Sequence, residues 1–143
     1  MRLWHKSILT VLPDMQIKDL WSECVCIAAN IVANDTPNDM LVNKIMDYDM
    51  AHFNTYIYLV FSEMKRRGYN VRKDSVDKIN KIIGDNPCMV DFDRLYANWH
   101  NDRYLKQCYY NLQEKFDCNG IPVAEWEKFR NKVVEILGES IDD

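Results

Sequence analysis

The chain has 143 residues, 48% hydrophobic and 28% charged, a balance that excludes a disordered or low-complexity protein. Its net charge of −4 excludes a strongly basic nucleic-acid-binding domain, and no run of 18 apolar residues reads as a membrane span. The charge is uneven: residues 1–84 carry 11 Lys+Arg against 10 Asp+Glu, residues 85–143 carry 7 against 12, so contact with a polyanion has to come from a local patch. The length predicts a single domain over 1–143, and the lack of a signal-peptide pattern predicts a cytoplasmic protein.

In chain order, Arg2 to Leu12 is predicted as an irregular or short extended lead, with Leu3, Trp4, Ile8, Leu9, Val11 and Leu12 available to dock it. Pro13 suits a first helical turn and Asp14 favours its positive end. From there to about Ala33, Ile17, Leu20, Trp21, Cys24, Ala28 and Ile31 recur at helical spacing, and Gln16, Asp19, Glu23, Cys26 and Asn30 form the complementary set. Residues 34–39 read as a loop, followed by a short helix around Met40–Met46. Asp49 is the expected cap of a second long helix with Phe53, Tyr56, Ile57, Val60, Phe61 and Met64 inward, closed by Lys65, Arg66, Arg67 and Gly68. A shorter helix is expected from Val76 to Ile83, closed by Gly84. Asp91 to about Asp117 reads as helix with a break near Asn101 and Asp102, and Pro122 opens a last helix ended by Gly138. No window alternates as a strand. The expected fold is all-α, a bundle of about five helices.

Five cysteines at irregular spacing, with no CxxC pair, read as reduced and mostly buried thiols. His5, His52 and His100 are far apart in sequence and read as surface or packed imidazoles rather than ligands. Lys65-Arg66-Arg67 is the densest basic cluster; it is either a solvated helix end or a phosphate-contacting patch. No phosphate loop, nucleophile elbow or metal motif occurs, so neither a metal nor an organic cofactor is expected.

The N-terminus offers chemistry of its own. An α-amine has a pKa near ~7.7–8.0, so a useful fraction is neutral and nucleophilic at physiological pH. The short lead can fold back along the first helix and bring the amine of Met1 near Glu23. Arg2 is bulky enough to protect the initiator methionine from removal, and its guanidinium suits a phosphate.

These residues carry a resemblance. Met1-Arg2, Leu12-Pro13-Asp14 and Trp21-Ser22-Glu23, with Glu63-Met64-Lys65-Arg66-Arg67-Gly68-Tyr69-Asn70-Val71, resemble the pyrimidine-dimer DNA glycosylase/AP lyase family of the phage endonuclease V type. Met1-Arg2-Leu3-Trp4-His5, Trp21-Ser22-Glu23-Cys24, Thr36-Pro37-Asn38 and Tyr110-Asn111-Leu112-Gln113-Glu114-Lys115 are similar to a group of small proteins classed with it. The resemblance implies a helical DNA repair enzyme acting on damaged duplex DNA without a cofactor. The amine of Met1 attacks the sugar C1′, Glu23 is its acidic partner, and Arg2, Lys65, Arg66 and Arg67 contact DNA. The family has Arg just before the Glu, Arg three positions after it and His seven before it; here these are Ser22, Cys26 and Gln16. Two other functions stay open at this point: a helical binding protein that keeps the fold without the reaction, and an amine/carboxylate enzyme acting on a small nucleoside or aldehyde.

Overall fold

A 3-10 helix, Lys6–Val11, leads into six α-helices: α1 Asp14–Val32, α2 Met40–Met46, α3 Met50–Arg66, α4 Lys73–Asp85, α5 Asp102–Asp117 and α6 Val123–Leu137. This is a computed structural model, and it describes residues 2–35, 38–85 and 88–138. No strand occurs among the described residues, so the fold is all-α as the periodicity predicts.

The lead is the first departure from expectation. It winds as a 3-10 turn because the His5 side chain caps it, Nδ1 accepting from the Ser7 amide at 3.0 Å. Leu3, Trp4, Ile8, Leu9 and Leu12 are all buried, so the lead is docked rather than loose. Two tyrosines fix it further: the hydroxyls of Tyr56 and Tyr104 donate to the carbonyls of Trp4 and Leu3 at 2.6 and 2.8 Å.

Helix α1 packs against α3 and α4, and α6 covers the 3-10 segment and α5. Pro13 caps α1 without a side-chain hydrogen bond, and a distant residue satisfies the exposed donor instead: Glu125 accepts from the Asp14 amide at 2.6 Å. Ile17, Leu20, Trp21, Cys24 and Ala28 are buried as the spacing predicts, and Val25 and Ile27 join them because helices lie on more than one side of α1.

Asp49 caps α3 through the Ala51 amide, and Gly68 takes a left-handed φ of 80° just beyond it. Helix α4 runs through Gly84 instead of stopping there. The larger correction concerns residues 91–100, which form successive turns rather than a helix. Tyr96 adopts φ 48°, and its amide donates to His52 Nδ1 at 3.1 Å rather than to a helical carbonyl. Lys6 Nζ takes up the carbonyls of Phe92 and Leu95 at 2.6 and 2.7 Å, which removes them from any helical ladder. Helix α5 starts only after Asn101, whose side chain accepts from the Tyr104 amide.

The cysteines are less buried than expected. All five are free, Cys24 and Cys108 inside and Cys26, Cys88 and Cys118 exposed. No helix of the described residues is long and apolar enough to cross a membrane.

Candidate active site

Residues 16, 19, 20 and 23 share one face of α1 because a helix repeats every 3.6 residues. Gln16, Asp19, Leu20 and Glu23, with Ser22, form one wall of a cavity of about 530 Å³. Arg2 and Trp4 of the lead and Asn111 and Lys115 of α5 form the rest. The volume lies within the usual range for small-ligand sites, roughly 300–1,000 Å³.

Glu23 is half-buried, and burial holds its carboxyl above the ordinary glutamate range. The positive amino terminus acts against that rise, and the Asp39 carboxylate adds to it. Arg2 is held by two rings, its Cζ 5.7 Å from the Trp4 centroid and 5.6 Å from that of Tyr104. Since Tyr104 also binds the Leu3 carbonyl, one residue of α5 fixes both the side chain of Arg2 and the backbone next to it. Two cations, Arg2 and Lys115, thus face two carboxylates, Asp19 and Glu23, across the cavity.

Of the residues singled out from sequence, Arg2 and Glu23 line this cavity together. Met1 lies outside the described residues. The basic cluster is arranged differently from a free patch. Arg66 and Arg67 both bind Glu63, with Nε–oxygen distances of 2.7 and 2.6 Å, and Arg66 makes a second contact to Glu63 through Nη2. Arg67 also reaches Asp14 at 3.0 Å, which ties the end of α3 to the start of α1. Burial opposes ionisation of Glu63, but hydrogen bonds from the two arginines outweigh it and hold the carboxyl below its ordinary range. Lys65 is exposed, its Nζ 6.0 Å from the Phe61 ring.

The three histidines come together in space. His5 and His100 stack with centroids 5.2 Å apart, and His52 stacks on Tyr96 at 5.3 Å. His100 Nδ1 accepts from the Lys6 amide at 2.9 Å. Burial pushes His5 down to about 4 and His100 further still, so both are neutral packing groups at pH 7. Among the described residues no group of His, Cys, Asp and Glu could hold a metal ion.

Sequence reasoning missed Asp19, Asn111, Lys115 and Trp4 as parts of the site. Asn111 and Lys115 are spaced i, i+4 on the polar side of α5, but nothing in the sequence says which helix that side faces.

The fold and cavity define an all-helical protein with a carboxylate and an arginine beside the start of the chain. Residues 1–77 match the family model for pyrimidine dimer DNA glycosylase, just over half of the chain, and the protein belongs to that family. Membership implies a pyrimidine dimer DNA glycosylase-like function with DNA as the substrate. No curated protein and no solved structure matches the chain.

Proposed function

We propose that the protein is a DNA glycosylase with AP lyase activity whose nucleophile is the α-amine of Met1 and whose acid/base partner is Glu23. The observation that carries this is the shared cavity: Arg2 and Glu23 line the same ~530 Å³ space, and one peptide unit, about 3.8 Å between Cα atoms, joins Arg2 to Met1.

The neutral amine attacks C1′ of the damaged nucleotide, and the glycosidic bond breaks with its electron pair leaving on the base. Opening of the sugar gives an imine between C1′ and the terminal nitrogen. Loss of a C2′ proton then expels the 3′ phosphate by β-elimination, and water releases the enzyme. Glu23 stabilises the cationic sugar and imine and relays protons. Its raised pKa suits that role, because a carboxyl closer to neutrality exchanges protons more readily at physiological pH. Arg2, held rigidly by Trp4 and Tyr104, binds a phosphate. The whole chain, 1–143, acts as one domain in this scheme.

Borohydride reduction in the presence of abasic-site DNA should give a covalent adduct on the Met1 residue. Absence of the adduct, or strand cleavage by Glu23→Gln equal to the parent, defeats the proposal.

One observation favours a second function. Arg66 and Arg67 are occupied by Glu63, and the net charge is −4, so fewer cations are free for duplex phosphates. The same amine and carboxylate would then act on a small nucleoside or aldehyde. Fluorescence anisotropy at low salt separates the two, since duplex binding gives a steep salt dependence.

A further inference from the structure

Gln16 is a polar group of the cavity that neither the packing nor the proposed reaction uses. It stands on the same face of α1 as Asp19 and Glu23 and lines the same space. Only 5% of its surface is exposed, and its Oε1 has no hydrogen-bond partner. Folding gives no reason for a glutamine here, because an unpaired buried acceptor is destabilising while Met or Leu would fill the same volume. Its neighbours in the wall, Leu20 and Trp4, are buried and apolar and offer the oxygen nothing in return.

Across the cavity stand Asn111 and Lys115, which can donate hydrogen bonds to carbonyl oxygens. An N–H flanked by carbonyls complements this arrangement: the N–H meets Gln16 and a carbonyl meets α5. The terminal torsion of a glutamine is broad, so the unbonded oxygen can turn to such a donor without giving up an existing contact. We propose that Gln16 is the specificity-determining residue of this cavity, its carbonyl accepting from the ring N–H of an extrahelical pyrimidine imide, with Trp4 and Leu20 as the apolar wall. This deepens the proposed function and rests on an unpaired base entering the cavity.

The test compares the parent with Gln16→Met on two duplexes, one with a thymine photodimer and one with an abasic site. Gln16→Met should lower base excision about ten- to a hundredfold, the effect of losing one buried hydrogen bond to substrate. Cleavage at the abasic site, where no base is present, should stay within about twofold, and the melting temperature should match or exceed that of the parent. Unchanged excision overturns the assignment. So does an equal fall in both activities with a lower melting temperature, which marks a structural residue. A parent that cleaves neither duplex defeats the proposed reaction separately. Gln16 is then judged by tryptophan fluorescence with thymidine and 3-methylthymidine as probes. Thymidine should bind the parent about tenfold more tightly than 3-methylthymidine does, and Gln16→Met should erase the difference. Equal binding of the two probes by the parent overturns the assignment.

Discussion

Arg67 Nε donates to Glu63 Oε2 at 2.6 Å, one turn along α3, and the same guanidinium reaches Asp14 at the head of α1. The Glu63 side chain is 4% exposed and that of Arg67 11%, so this pair is largely out of water. Removing the carboxylate leaves Arg67 buried beside one exposed partner. Glu63→Gln should therefore lower stability by about 1–3 kcal/mol, discounted from a fully buried pair because Arg66 is half in solvent. Urea denaturation with an unchanged m-value would register it; a change under about 0.3 kcal/mol would mean the pair is ornamental.

Glu23 is predicted to matter for rate and not for stability. Glu23→Gln removes a carboxylate that burial already disfavours, so its melting temperature should equal or exceed the parent's. Cleavage of abasic-site DNA should fall roughly 10²–10⁴-fold, the range for a lost general acid/base. Retained cleavage with a lowered melting temperature would reverse the two roles.

Masking the amine should act on chemistry alone. An added Gly-Ser before Met1 should abolish the borohydride adduct while the buried lead, Leu3 to Leu12, keeps the melting temperature unchanged. For the unextended protein, cleavage should rise with pH as the amine loses its proton, with a midpoint near about 7.7–8.0. A pH-independent rate between 6 and 9 would rule out the amine as nucleophile.

The stacked histidines make folding acid-sensitive. His5 and His100 have folded pKa values below the unfolded value of 6.5, so the unfolded chain takes up protons first as pH falls. Their contribution is fully present above pH 6.5 and is lost progressively below it, down toward pH 4 where His5 titrates in the folded state. The pair should cost roughly 2 kcal/mol per pH unit through that window. His100→Phe should flatten the dependence. A melting temperature independent of pH between 7 and 5 would refute this.

The extent of sequence legibility can be judged residue by residue. Apolar residues at 17, 20, 21, 24 and 28 placed α1, and Asp49 and Gly68 bounded α3, because helical periodicity and capping depend on near neighbours. The turns at 91–100 were misjudged as helix because Lys6 and His52, distant in sequence, take the carbonyls and the amide that a helix would need. Likewise Lys65-Arg66-Arg67 looks free in one dimension, and only the packed chain shows two of the three turned onto Glu63.

By itself, then, the sequence determined the helical class, the family through residues at the start of the chain and along the first helices, and the face of α1 that carries Gln16, Asp19 and Glu23. The tertiary structure decided what that face meets. Tyr56 and Tyr104 pin the lead so that Arg2 arrives beside Glu23, and α5 brings Asn111 and Lys115 opposite. Local spacing sets which side chains share a surface, but the partner across a cavity depends on long-range packing, which no window of the sequence contains.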